Sequence, residues 1–219
     1  MQETVGSLST TRPHAVKVFQ RYGIDFCCGG AKTLDAACAD KGLDAARVRE
    51  EIAAEEARST DPVVRWDTQP LRALIDHLLV HYHDPLKEDL PRLVAMAEKV
   101  ARVHGEKDAR LAELAGVVRA CRADLEPHLM KEEQVLFPWI LRDGAAPPHA
   151  PVQVMLRDHD DVSVLLGRLA TLTDGYQLPP GACATWTALW QGLSAFDREL
   201  REHIALENNV LFPRALARR

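Results

Sequence analysis

The feature that most restricts how this chain can fold is a duplicated eleven-residue phrase. It reads H-L-M-K-E-E-Q-V-L-F-P at 128–138 and returns as H-I-A-L-E-N-N-V-L-F-P at 203–213. Each copy sets a histidine four residues before a glutamate: His128 with Glu132, and His203 with Glu207. On an α-helix, positions i and i+4 stack on one face, so each copy points an imidazole and a carboxylate the same way. The repeat extends upstream, because His83 lies 45 residues before His128 and His159 lies 44 before His203. A fold that uses this pattern needs four helices, each delivering one histidine to a common interior.

The rest of the chain fits that demand. Of its 219 residues 47% are hydrophobic and only 5% aromatic, with Ala and Leu abundant and few β-branched runs, which favours helices. Four long amphipathic segments are expected at roughly 69–103, 108–142, 151–173 and 182–217. Their connections are short enough for antiparallel neighbours. The expected fold is all-α, an up-down four-helix bundle over 69–219. A small helical domain (1–58) and a proline-bearing linker (59–68) come before it. In the small domain, Thr11 and Pro13 suit a first helix start and Gly23 its stop. Thr33 and Asp44 suit the caps of two more helices. Pro85 and Pro127 predict kinks rather than breaks, and Pro138 and Pro213 a bend or an end.

Net charge is −5 with no basic cluster, which argues against nucleic acid as a partner. No apolar run is long enough to span a bilayer and no secretory leader is visible. Five cysteines in no framework spacing suit a reducing cytoplasm.

Four histidines and two glutamates make six donors. One metal could take all six. Two metals bridged by carboxylates from different helices would each take two imidazoles and one oxygen from each glutamate. A solvent-derived oxo or hydroxo bridge would then leave an open position on each. Such mixed donors with vacancies suit iron before manganese, and the absence of thiolates argues against structural zinc. The i,i+4 spacing also differs from the Glu-x-x-His of ferritin-like sites. His14, His77, His81, His104 and His149 lie outside the repeat and are expected to be ordinary, with His77 or His81 close enough to support a ligand. Glu133 is expected to face solvent or Lys131.

A second motif, I-D-F-C-C-G-G at 24–30, pairs Cys27 with Cys28 before two glycines. The glycines allow positive φ and open backbone around the sulfurs. Redox or metal exchange at exposed thiolates is one reading, and a pair of half-buried thiols in a turn is the other. Cys38, Cys121 and Cys183 sit alone and carry no such expectation.

Taken together, Y-G-I-D-F-C-C-G-G, I-D-H-L-L-V-H-Y-H-D, R-D-H-D and the two copies of the phrase resemble the iron-sulfur cluster repair di-iron proteins (RIC family) over nearly the whole length. The resemblance implies a hemerythrin-like bundle holding two irons on His83, His128, Glu132, His159, His203 and Glu207, with the glutamates as bridges. It also implies a vicinal cysteine pair at Cys27 and Cys28. The function it implies is repair of clusters damaged by nitric oxide or oxidants, by iron donation, in the cytoplasm. Damaged or apo iron-sulfur proteins would be the partners, NO or O2 the small ligands, and a homodimer the oligomer to test for. A repair factor fits better than a classical enzyme. Three competing readings are NO reduction at the di-iron site, O2 or NO carriage and sensing of the hemerythrin type, and an HD-type phosphohydrolase suggested by His159-Asp160. The last leaves the duplication unexplained.

Overall fold

The computed structural model describes residues 3–59 and 64–218; part of the expected linker, 60–63, lies outside them, as do residues 1–2 and 219. Every regular element among the described residues is helical, and the only β pairing is one isolated bridge between Thr4 and Thr33. The chain divides into two compact units, one formed by 1–75 with 201–219 and the other by 76–200.

The first unit begins with four short helices, α1 (Val5–Thr11), α2 (Ala15–Tyr22), α3 (Leu34–Ala39) and α4 (Ala45–Arg58). Thr4, Thr33 and Asp44 cap α1, α3 and α4, their side chains accepting from the backbone N–H of Ser7, Ala36 and Ala46. Each cap satisfies one of the orphan donors at a helix start, worth about 1 kcal/mol. Gly23 ends α2 in the left-handed conformation at φ 62°. The caps at Thr33 and Asp44 and the stop at Gly23 stand where the sequence indicates, but the first start does not. The chain is already helical from Val5, and Arg12 leaves the helical region at φ −131° before Pro13. A residue before proline is pushed out of the α region, so Pro13 ends α1 as well as leading into α2 two residues later. Val5, Leu8, Val18, Phe19, Phe26, Leu34 and Ile52 are buried, each large side chain contributing about 1.5–3 kcal/mol. The C-terminal stretch adds Val210, Leu211, Phe212 and Ala215 to the buried set, and its 207–211 turn packs on α1.

The second unit is an up-down four-helix bundle made from α6 (Asp84–His104), α7 (Arg110–Lys131), α9 (His149–Leu172) and the 184–200 part of α10 (Ala184–Leu206). The short helix α8 (Phe137–Leu141) belongs to this unit, and α5 (Leu71–Leu78) runs along the chain from the first unit into it. Buried residues step alternately by three and four, the spacing of a bundle seam. The seams read His83-Leu86-Leu90-Leu93-Ala97-Val100, Leu111-Leu114-Val118-Cys121-Leu125-His128-Glu132 and Val152-Met155-His159-Val162-Leu166-Leu169. In α10 the same rhythm runs Leu189-Leu193-Phe196-Leu200-His203 and on to Glu207. Each histidine of the repeat therefore occupies a position where the pattern asks for leucine. Helix α6 packs on α7 and α7 on α9. Gly192 lets α10 come close to α6, since a Cβ there would meet Leu93 Cδ2 at 2.8 Å.

Three prolines shape the helices around these polar positions. Leu79–His83, Glu132–Leu136 and Glu207–Leu211 are single π turns. They are closed by the N–H of Asp84, Phe137 and Phe212 to the carbonyl five residues back. The next residue in each case is a proline: Pro85, Pro138 or Pro213. Proline cannot donate, and its ring clashes with the carbonyl four residues earlier in an α-helix. Widening the preceding turn to i→i+5 makes room for the ring while the helix continues. After the third π turn the chain ends in α11 (Phe212–Leu216). At Pro127, α7 stays α-helical throughout. The unbroken apolar periodicity holds the chain helical through all four sites.

Candidate metal centre

In the bundle unit, three imidazoles gather at Glu132. His83 Nε2 lies 3.4 Å and His128 Nε2 3.3 Å from the same carboxylate oxygen, Glu132 Oε2. The His159 ring sits 4.9 Å, centre to centre, from that of His128. His128, Glu132 and His159 each present a ligand atom within 4.8 Å of one another. All four side chains are buried, Glu132 and His83 at 0% exposure.

The opposite ring nitrogens show how these imidazoles are set. His83 Nδ1 donates to Glu133 Oε1 at 2.8 Å, and Lys87 Nζ holds that same oxygen at 2.7 Å. His128 Nδ1 donates to Asp158 Oδ2 at 3.2 Å, and Lys131 donates to that oxygen too. Burial pushes both carboxyls up, but the lysine and histidine hydrogen bonds outweigh it and hold Glu133 and Asp158 below their usual range. Ionised carboxylates on Nδ1 orient the rings and leave Nε2 as the unprotonated, more basic nitrogen, as second-layer partners of metal-binding histidines do. Glu133 therefore supports His83, against the expectation that it faces solvent or Lys131. The His77 and His81 rings lie 4.5 Å apart, centre to centre, and are tilted 43° to each other. Burial and the neighbouring His81 push the His77 imidazole down to about 4.

These atoms define an electrostatic problem. The Nε2 atoms of His83 and His128 face a carboxylate neither of whose oxygens makes a hydrogen bond among the described residues. Stranding a buried carboxylate costs several kcal/mol, and a cation among those acceptors removes the cost. The donor set fits a borderline divalent or trivalent metal such as iron.

The remaining repeat residues lie in the first unit. His203 Nε2 and Glu207 Oε1 are 3.1 Å apart, and both side chains are buried. The Cys27–Cys28 loop packs on the turn that begins at Glu207. Asn208 Nδ2 donates to the Cys27 carbonyl and Asn209 Nδ2 to the Phe26 carbonyl, both at 3.0 Å. Asp25 Oδ1 accepts from the N–H groups of Cys27 and Cys28 at 3.1 and 3.0 Å and lies 3.3 Å from the Cys27 sulfur. Burial pushes the Asp25 carboxyl up, but hydrogen bonds from Gly29, Cys28 and Cys27 more than offset it.

Of the two readings of this pair the structure matches the covered thiols in a turn, and it also corrects the role expected of the glycines. Cys27 is 1% exposed and Cys28 half-buried, so the pair is not a set of exposed thiolates. The hydrogen bond with Cys28, burial and the nearby negative charge of Asp25 push the Cys27 thiol well up, and the positive charge of Arg201 only partly opposes them. Nor do the glycines serve positive φ, since neither Gly29 nor Gly30 has one. They permit close approach: a Cβ on Gly29 would meet the Asp25 carbonyl at 2.8 Å, and one on Gly30 would meet Asn209 Oδ1 at 2.3 Å. Among the described residues neither cysteine is in a disulfide.

Fold and donors together define a helical-bundle protein with a buried imidazole–carboxylate centre suited to a cation. Residues 74–215 match the family described as the hemerythrin HHE cation binding domain, and residues 1–56 match a domain of unknown function, DUF542. The chain belongs to the hemerythrin HHE cation-binding family. Among its relatives, the protein of Citrobacter koseri named iron-sulfur cluster repair protein YtfE is 42% identical over 217 residues, spanning 98% of this chain and 97% of the relative. Proteins of the same name from Escherichia coli and Escherichia fergusonii are 41% identical over the same share of each chain.

Sequence reasoning missed Glu133, Asp158, Asn208 and Asn209 as parts of this region. Their signal is adjacency, for each stands within two positions of a repeat residue.

Proposed function

We propose that this chain is a di-iron protein that repairs iron-sulfur clusters damaged by nitrosative or oxidative stress, working in the cytoplasm by donating iron. His83, His128, Glu132, His159, His203 and Glu207 are the ligands of two irons, and Glu132 and Glu207 are the bridges. The observation that carries the reading is the buried Glu132 carboxylate, faced by the Nε2 atoms of His83 and His128. The duplication of sequence and of π turn supports extending it to His203 and Glu207. Support for the cellular task comes from relatives that cover nearly the whole chain and are named for cluster repair.

The chain's own residues prepare the site. Glu133 and Asp158 hold two imidazoles in the metal-binding tautomer, while Lys87 and Lys131 keep those carboxylates ionised. Apolar seams on either side exclude water and fix the donors before metal arrives. When bound, iron supplies redox and ligand-exchange chemistry and is itself the cargo in donation. Cys27 and Cys28 serve as the exit for iron or the entry for electrons. Buried as it is, Cys27 requires the loop to open before its sulfur can act.

The test mixes iron-loaded protein with a cluster enzyme damaged by NO and follows recovery of that enzyme's activity. Wild type is expected to restore it. The Cys27→Ser/Cys28→Ser variant should keep its iron and absorption spectrum yet repair several-fold more slowly. Conversion of NO to N2O with no recovery of the damaged enzyme would replace this reading with that of a reductase.

A further inference from the structure

The two residues after Glu207 are not among the proposed ligands, yet both are committed to specific partners. Asn208 and Asn209 reach from the third π turn to the backbone of Cys27 and Phe26 through their side-chain amides. Asn209 does so through a slot cut for it. A Cβ on Gly6 would fall 2.4 Å from Asn209 Oδ1, and one on Gly30 would fall 2.3 Å from it. Gly6 and Gly30 are joined to each other by a backbone hydrogen bond of 2.9 Å. The start of α1, the glycine end of the cysteine loop and the Asn209 amide therefore form one clamp. Glu207 lies next to it along the chain. Its carbonyl closes the same π turn, so a shift of Asn208 or Asn209 moves the backbone that aims the Glu207 carboxylate.

We propose that Asn208 and Asn209 are positioning residues forming a latch between the Cys27–Cys28 loop and the Glu207 turn, which couples opening of the thiol loop to metal occupancy at His203 and Glu207. Metal held by Glu207 orders the turn, the ordered turn holds the latch, and the latch keeps the Cys27 sulfur covered. By linkage the converse holds: a loop driven open weakens the metal half-site by the same factor. An iron-donating protein gains a release step from this arrangement, because engaging the thiols loosens the ligand beside them. The inference rests on the reading that His203 and Glu207 hold iron.

The experiment measures alkylation of each cysteine by iodoacetamide in the full chain, with and without iron, using peptide mass spectrometry to separate the sites. In wild type, iron is expected to slow labelling of Cys27 about tenfold, within the usual range of coupling between sites. Labelling of Cys38, buried in the same unit but outside the latch, should change little. Asn209→Ala should abolish the protection of Cys27. Gly30→Ala, which touches no ligand, should do the same and weaken iron binding about tenfold in a chelator titration. Circular dichroism establishes that each variant is folded, and if one is not, the wild-type comparison decides alone. Equal Cys27 labelling with and without iron in a chain shown to have bound it would overturn the latch and leave the metal reading standing. Parallel protection of Cys27 and Cys38 would also overturn it, as general stabilisation of the unit. A wild-type chain that takes up no iron would overturn both.

Discussion

Glu133 and Asp158 show how much of this site is set by single side chains that are not ligands. Each accepts from the Nδ1 of a proposed iron-binding histidine and is itself held by a lysine. Loss of such a partner typically lowers metal affinity 10–100-fold. Glu133→Gln and Asp158→Asn keep the shape and remove the charge, so each is expected to weaken iron binding by about tenfold or more. Competition with a coloured chelator measures it, and unchanged affinity in both would mean that the rings are oriented by packing alone. The proposed ligands are those the sequence puts forward, because duplication singles out His83, His128, Glu132, His159, His203 and Glu207 from nine histidines and many acids. Their supports are not marked in this way. Consecutive residues on a helix point about 100° apart, so whether Glu133 meets solvent or His83 depends on which helix lies beside it. Cys27 poses the same difficulty: the motif displays two thiols, but the covering of one by its surroundings follows from tertiary packing.

At the scale of elements, the apolar seams decide the fold. Alternating steps of three and four predict the bundle, and polar residues at leucine positions mark the site within it. The π turns are hidden, although their cause is visible in Pro85, Pro138 and Pro213. A proline within a helix can be met by a kink, a break or a bulge, and local sequence does not choose among them. The short helix α1 is obscured for a related reason, since Pro13 suits a helix start and equally well ends the one before. If Pro138 is what holds the second π turn open, Pro138→Ala restores an N–H and lets the turn relax to α pairing. Iron affinity is then expected to fall several-fold, because the backbone at Glu132 is re-aimed, with no loss of thermal stability in the metal-free chain. Amide exchange at Phe137, which now bonds the Glu132 carbonyl, reports the change in pairing. A variant with wild-type affinity would show that the bundle imposes the π turn without the proline.

For the molecule as a whole, the proposed centre ties metal binding to the fold. Removing it strands donors at seam positions that apolar residues would otherwise fill, so the metal-free chain should be looser and melt lower. With free iron at about a thousand times its dissociation constant, linkage supplies about 4 kcal/mol. In a chain of this size that corresponds to a rise of about 10 °C in melting temperature. Scanning calorimetry with and without iron checks it, and equal transitions would mean that the apolar seams suffice. The division of the chain into units is also only partly legible. Composition and prolines suggest a boundary near the linker, whereas 201–218 groups with the N-terminal helices. Asparagine amides reaching across some 180 residues to backbone carbonyls leave no local pattern.

The central claim is that the duplicated phrase builds one centre for two irons. Metal analysis of the purified, iron-loaded chain tests it most directly, with wild type compared against Glu132→Ala and Glu207→Ala. Two irons per wild-type chain are expected, with a clear loss of iron and an altered absorption spectrum in each alanine variant. A single tightly held iron, indifferent to both substitutions, would contradict it.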